Sequence, residues 1–379
     1  MVAVSSQVRP HRPFNPVSTT CLPGHWHEVG SALFAGAGSG HGCSMPTRIS
    51  ELSSYQHIAV TGGLGFVGRH LVRTLAALGN RVSIVDAAAP DDTTLPCPIR
   101  TVDLRDARQT LRALSDVDLV FHLAGNASGT TSVDRPRFDF ESNAVTTFNV
   151  AEALLNTKAR LVYLSTAMVY GEPQTVPVRE DHQLSPFLPY GASKLAGEAA
   201  VRAFVRTHGL SAVIARAFTI YGPGENPHRA GGEVSQYLRW HLNALPIRVV
   251  GDLDHKTRDF VHVADLVRGL IVAADRSEAG RVVNIGSGRE FSLRRLIDAI
   301  GEATGRRPEI EVVASISDDS YRMVADTAEL RALGYQPQVE LVDGIRALAA
   351  ELGPDPVLPT VDTIFRPEQR SRQEEEVAC

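Results

Sequence analysis

Eight residues, Thr61-Gly62-Gly63-Leu64-Gly65-Phe66-Val67-Gly68, restrict the fold of this chain more than any other stretch. The short apolar run 57–61 before them reads as a strand. Residues 66–78 after them place Val67, Leu71, Leu75 and Leu78 on one helical face, with Gly79 as the stop. A strand that turns through spaced glycines directly into a helix has few uses. Gly62 permits the tight turn, Gly65 has no side chain to block a ligand, and Gly68 lets helix and strand pack closely. The helix start then offers unbonded N–H groups and a positive dipole end, as a dinucleotide pyrophosphate requires.

The pattern around the turn supports this. Residues 81–85, 119–123, 160–165 and 211–218 read as further strands, and 141–156 and 190–208 as helices. The strands are mixed or nearly continuous in apolar character, as when both sheet faces are covered. Repeated alternation of strand and helix implies an α/β chain with a Rossmann-type doubly wound parallel sheet. Beyond about residue 220 the pattern loosens into Gly and Pro clusters and short elements, the kind of loops that shape a substrate site.

Residues 1–50, rich in Ser, Gly, Pro and His, show no period and read as a disordered extension; 367–379 reads as an acidic tail. His25, Trp26 and His27 lack a third ligand nearby, so no metal site is expected. Cys21, Cys43, Cys97 and Cys379 form no metal or disulfide framework and read as reduced thiols. A formal charge of -5 over 379 residues gives no preference for nucleic acid or membrane. No apolar run approaches the roughly 20 residues that span a bilayer, and Arg9 and Arg12 have no apolar stretch behind them to make a signal peptide. A cytoplasmic protein is expected.

Three positions carry the chemistry. Asp86 ends the second strand, where a carboxylate can accept both ribose hydroxyls of NAD and would repel the extra phosphate of NADP. In Tyr190-Gly191-Ala192-Ser193-Lys194, Tyr and Lys are four apart and share a helix face. A free phenol, with a pKa near 10, is a poor base at neutral pH. A neighbouring ammonium and a nicotinamide cation are expected to lower it. Tyr190 could then take a proton from a sugar hydroxyl while hydride leaves for NAD, with Lys194 also holding the nicotinamide ribose. Thr166, at a strand's carboxyl end, could hydrogen-bond the same hydroxyl. Taken singly, each of these also fits an ordinary surface or strand-end residue.

Together with His122-Leu123-Ala124-Gly125, Asn143, Ser165-Thr166, Tyr221-Gly222-Pro223, Arg258-Asp259-Phe260-Val261-His262-Val263 and Asn284-Ile285-Gly286-Ser287-Gly288, these motifs stand in the order of the extended short-chain dehydrogenases. Over roughly residues 56–350 the chain resembles their NAD-dependent sugar epimerase/dehydratase branch. The resemblance implies a Rossmann domain with its core in 56–220 and some later segments returning to it, and a smaller C-terminal α/β substrate domain, mainly 221–350, for a nucleoside-diphosphate sugar. It implies NAD contacts from Gly62, Gly65, Phe66, Val67, Gly68, Asp86, Asp103, Leu104, Leu123, Ala124, Asn143, Ser165, Tyr190 and Lys194, with Asp103-Leu104 at the adenine. It places Arg258 on the substrate pyrophosphate, and it implies a homodimer through helices 141–156 and 190–208.

The branch holds 4-epimerases, 4,6-dehydratases, decarboxylases and 4-keto reductases. Dehydratases typically carry Asp-Glu after the Thr, since loss of water needs an extra acid and base, and decarboxylases typically retain the Glu. Ala167-Met168 can exchange no proton. Oxidation at C4 and return of hydride to the other face remain, so a UDP-sugar 4-epimerase is expected. Thr219 resembles the position that receives the C6 carboxylate in UDP-glucuronate 4-epimerases, though the following segment, with Arg229, differs. UDP-glucose and UDP-glucuronate therefore both stay open. Arg322 resembles a phosphate-contacting Arg of decarboxylases, which keeps UDP-glucuronate decarboxylation open. Reduction of a 4-keto sugar stays open as well. A non-catalytic NAD-dependent sensor is the competing class; its relatives lose the Tyr or Lys that this chain keeps.

Overall fold

In the computed structural model, residues 52–88, 95–228, 232–313 and 322–359 are described. The extension 1–50, Arg229 and the tail 367–379 lie outside them. Seven strands form one parallel sheet: β1 (Ile58–Thr61), β2 (Val82–Asp86), β3 (Ile99–Thr101), β4 (Leu119–His122), β5 (Arg160–Thr166), β6 (Ala212–Ala217) and, later in the chain, β11 (Val282–Ile285). Their order is β11-β6-β5-β4-β1-β2-β3. The order runs outward from β1 in both directions, which is the doubly wound arrangement, with the reversal between β1 and β4.

Alternation along each strand feeds two apolar layers. Ile58, Val60, Val162, Leu164, Val213 and Ala215 face one layer, with Leu71 and Leu75 of helix Phe66–Ala77 and Leu266, Leu270 and Ile271 of helix Val263–Arg276. Ala59, Leu161, Tyr163, Ala212 and Ile214 face the other, with Val150 and Leu154 and with Val201 of helix Pro189–His208. Each fully buried Leu, Ile or Val contributes about 1.5–3 kcal/mol, so these layers fix the strand ends rigidly. A third cluster joins helices Glu233–Leu242, Leu293–Thr304 and Leu341–Leu352 through Leu238, Trp240, Leu296, Ile300, Ile345 and Leu348.

The remaining strands are short. β7 (Thr219–Tyr221) pairs with β10 (Phe260–His262), β8 (Ile247–Val250) with β13 (Ile310–Val313), and β9 (Thr257–Arg258) lies between β12 (Phe291–Ser292) and β14 (Arg322–Met323).

Two sequence expectations change. The helix expected over 141–156 begins as a π turn, Glu141–Val145, continuing helix Pro136–Phe140 and passing into helix Thr146–Ala153. The loosened region after 220 contains the regular helix Val263–Arg276; the later segment that joins the main sheet is β11, beside β6. That helix is buried around most of its circumference. Among the described residues no helix is long and apolar enough to cross a membrane.

Candidate active site

The glycine turn meets the end of β4. Gly62 has φ +68°, which favours glycine, and a Cβ on it would lie 2.7 Å from the Ala124 backbone nitrogen. Leu123 and Ala124 are thereby held beside the turn. Gly65 is the N-cap of helix Phe66–Ala77; no side chain caps that end and no acid stands in its first turn. Phe66 and Val67 open the helix, with Val67 packed on the first apolar layer. Asp86, at the end of β2, accepts the Leu64 N–H at 3.1 Å and the Ala88 N–H at 3.1 Å, so its carboxylate stands over the turn.

A Cβ on Gly68 would lie 2.2 Å from the Gly62 carbonyl oxygen and 2.7 Å from the Gly63 Cα. Both are backbone atoms with no rotamer to yield. Gly68→Ala is therefore expected to cost about 1–3 kcal/mol and to strip NAD from the purified protein. Urea unfolding and cofactor content after gel filtration check this; an unchanged midpoint with full NAD occupancy would refute it.

Asn143, in the π turn, donates through Nδ2 to Asp139 Oδ1 and Ser193 Oγ, each at 3.0 Å. Its Oδ1 is buried without a partner, and a Cβ on Gly125 would come within 2.3 Å of it. An uncapped helix start under bare glycines, a carboxylate at the rim and this orphaned acceptor suit a dinucleotide. Asp103 is half-buried and paired with Arg105 at 2.7 Å, and Leu104 is buried in the second layer.

Thr166 ends β5 and starts a 3-10 turn, Ala167–Val169, in which the Met168 N–H donates to its Oγ1 at 3.2 Å. Tyr190 lies in the first turn of helix Pro189–His208 and hydrogen-bonds the Thr166 side chain. Lys194 is buried one turn on; its Nζ donates to the Leu164 carbonyl at 2.9 Å and lies 5.1 Å from the Tyr163 ring centroid. The expected triad of Tyr190, Lys194 and Thr166 thus converges at the carboxyl end of β5.

The chain's own groups set the electrostatics from which the expected lowering of the phenol by a nicotinamide cation would start. Burial pushes the Tyr190 phenol up to about 12; the Thr166 hydrogen bond pulls it down and Asp139 pushes it further up. Burial also brings Lys194 down to about 8, against the pull of Asp139 and Glu198. Desolvation is the largest of these influences on the phenol, and the Lys194 Nζ is engaged with the Leu164 carbonyl. His122 is buried between Thr61 Oγ1 (2.7 Å) and Thr147 Oγ1 (3.1 Å). Burial first, then Lys194, hold it down to about 3, so it is a neutral strut between β1, β4 and the next helix.

The expected substrate residues form another group. Arg258 is buried on β9, with Nε 3.2 Å from Glu233 Oε1. Arg322, on the neighbouring strand, is exposed and pairs with Glu290 at 2.7 Å. Thr219 starts β7, its N–H donating to the Asp259 carbonyl at 3.1 Å, and its methyl faces Gly232. Asp259 itself is consumed structurally, accepting from Ser287, Gly288 and Ala325.

The sequence reading missed the buried supports. Ser165, expected to contact NAD, donates its hydroxyl to Glu198 Oε1 at 2.7 Å, and Glu198 grips Arg216 of β6 at 2.7 Å. Glu198 is four residues beyond Lys194, a spacing that could have signalled the shared face. Asp139, fully buried, accepts from Asn126, Asn143 and Ser193, and no local pattern marks it.

Residues 58–286 match the family model of the NAD dependent epimerase/dehydratase family. A UDP-glucose 4-epimerase from Mycolicibacterium smegmatis is 34% identical over 298 residues, covering 76% of this chain and 95% of that protein. The crystal structure of a Thermus thermophilus UDP-glucose 4-epimerase in complex with NAD superposes with a TM-score of 0.71 at 32% identity, covering 78% of this chain and 98% of that one. A dTDP-glucose 4,6-dehydratase from Streptomyces venezuelae, solved with NAD bound, reaches the same TM-score of 0.71 at 28% identity, covering 78% of this chain and 96% of its own. With more than half its length matched and the glycine turn, Tyr190 and Lys194 in place, the chain is an enzyme of the NAD-dependent epimerase/dehydratase family, within the extended short-chain dehydrogenases.

Proposed function

We propose that this enzyme is a UDP-sugar 4-epimerase. The observation that carries the reading is the turn after Thr166: Ala167 is buried and Met168 half-buried, and neither can move a proton. Elimination of water needs an acid and a base besides Tyr190. Bound NAD supplies the acceptor and donor of the C4 hydride. The chain's part is to move one proton and hold the sugar. Tyr190 takes the C4 hydroxyl proton and returns it, and Thr166, already bonded to Tyr190, steadies that hydroxyl. The 4-keto sugar turns over between the two transfers, so C4 inverts. Arg258 and Arg322 supply positive charge for the diphosphate.

Thr219 is half-buried beside Gly232, and a small hydroxyl there suits either a C6 hydroxyl or a C6 carboxylate. UDP-glucose/UDP-galactose and UDP-glucuronate/UDP-galacturonate are accordingly the two substrate pairs to test. Phe140 (51% exposed) and Phe148 (44%) lie on the helical run before β5, with the Phe148 ring 5.2 Å from that of Phe204 on the Tyr190 helix. The exposed aromatic surface of that helical run, beside the Tyr190 helix, supports a homodimer there. A cytoplasmic location is part of the same proposal.

The experiment is incubation with UDP-glucose, UDP-galactose and UDP-glucuronate, followed by NMR of the sugar. Inversion at C4 with no other change is expected for one pair. A 4-keto-6-deoxy product or released carbon dioxide would replace the reading by dehydration or decarboxylation. No turnover with NAD retained would favour a sensor.

A further inference from the structure

Asp139 has 0% exposure and no cation among its hydrogen-bond partners in the described residues. Its Oδ1 accepts from Asn126 Nδ2 at 2.7 Å and Asn143 Nδ2 at 3.0 Å, and its Oδ2 accepts from Ser193 Oγ at 2.6 Å. The three donors come from three pieces of chain: the loop after β4, the π turn, and the second turn of the Tyr190 helix. Ser193 Oγ is also 3.0 Å from the Tyr190 carbonyl and accepts from Asn143 Nδ2. With both Asn143 amide hydrogens committed to Asp139 and Ser193, only its Oδ1 can face the Gly125 backbone. Leaving a buried carboxylate with neutral partners costs stability that three hydrogen bonds only partly return. A charge in such a place is best explained by what it holds.

We propose that Asp139 is a positioning residue for the Tyr190–Lys194 pair: its carboxylate ties the second turn of the catalytic helix to the β4 loop and the π turn, and holds Asn143 with its acceptor towards the cofactor end. The inference rests on Tyr190 being the acid–base group. Asp139 touches no reacting atom; it acts through Ser193 and Asn143 and through its field, which pushes both the Tyr190 phenol and the Lys194 ammonium upward. The other groups around the pair are Thr166 and Tyr163 of β5, neutral His122 of β4, and Glu198, whose charge Arg216 answers. Near Asp139 itself, Asp134, Arg135 and Arg137 are exposed, and Glu141 faces Arg105 at 3.9 Å.

Asp139→Asn keeps the shape and removes the charge. The phenol of Tyr190 is then expected to ionise about one pH unit lower. In NAD-saturated protein this is read by tyrosinate absorbance, with the Tyr190→Phe protein in each background subtracted. The acid limb of kcat should shift the same way. Ser193→Ala, which removes one tie and no charge, should lower kcat about tenfold with KM nearly unchanged and no shift in the phenol titration. A folded Asp139→Asn protein whose Tyr190 titrates as in the wild type overturns the proposal. If Asp139→Asn does not fold, Ser193→Ala decides: slowed turnover supports positioning, and wild-type kcat makes the carboxylate only a folding device. The absorbance titration needs no substrate. A wild-type protein that turns over no sugar therefore defeats the epimerase reading, while the titration still judges Asp139.

Discussion

A Tyr190→Phe protein is expected to lose a factor of about 10²–10⁴ in kcat while keeping its fold and its NAD. The variant removes one oxygen from a half-buried ring, and its hydrogen-bond partner Thr166 still accepts the Met168 N–H. No buried charge is orphaned, so stability should change little. What disappears is the group proposed to accept the C4 proton at the end of β5. Burial holds that phenol up to about 12, so at neutral pH only a small fraction is ionised in the chain by itself. The rate should therefore rise with pH until the phenol of the working complex has ionised, and the Phe variant should lack that limb. Steady-state kinetics across pH, with cofactor content measured in parallel, tests both points. A variant retaining more than about a tenth of wild-type kcat would mean that another group moves the proton.

The difference between what the sequence disclosed and what it concealed follows chain distance. The glycine turn, Asp86 and the Tyr190–Lys194 pair are local patterns, each tied to a strand end or a helix period, and the structure places them at the carboxyl ends of β1, β2 and β5. Which later segment returns to the main sheet was not legible, because nothing in Val282–Ile285 says that it will pair with β6, a strand that ended at Ala217. The π turn escaped because one widened turn leaves the apolar pattern almost intact, although it sets the direction of Asn143. Asp103-Leu104 is a pair whose surroundings the motif does not disclose: Asp103 is half-buried in an ion pair with Arg105, and Leu104 is buried in the second apolar layer. Buried charges were least legible of all, since a Glu or Arg on a helix or strand reads as surface until its partner is known. Asp139 finds Ser193 54 positions away, and that proximity exists only after the sheet has formed.

The largest stability effect is expected from Glu198→Gln. Glu198 and Arg216 have fully buried side chains and meet through two bonds, Arg216 Nε to Oε1 at 2.9 Å and Nη2 to Oε2 at 2.7 Å. Ser165 donates to the same carboxylate at 2.7 Å, and the guanidinium carbon stands 4.8 Å from the Tyr170 ring centroid. Gln keeps the volume but leaves a buried cation without its anion, a loss of about 3–5 kcal/mol from a total of about 5–15. The sign of the acid dependence follows from the same pair. Burial pushes the Glu198 carboxyl up, but the hydrogen bonds and charge of Arg216 outweigh it and hold the group below its ordinary value. Its stabilisation is thus complete above an unfolded pKa of about 4.3 and is lost as pH falls through the folded value. Urea midpoints of wild type should fall through that window, and those of Glu198→Gln should lack this share of the fall. Replacing both partners, Glu198→Leu with Arg216→Met, separates charge from packing. If the single variant fails for lack of an anion, the double variant recovers most of the loss; if it is as unstable as the single one, the two residues hold β5, β6 and the catalytic helix by their shape and hydrogen bonds, and the ion-pair account is wrong.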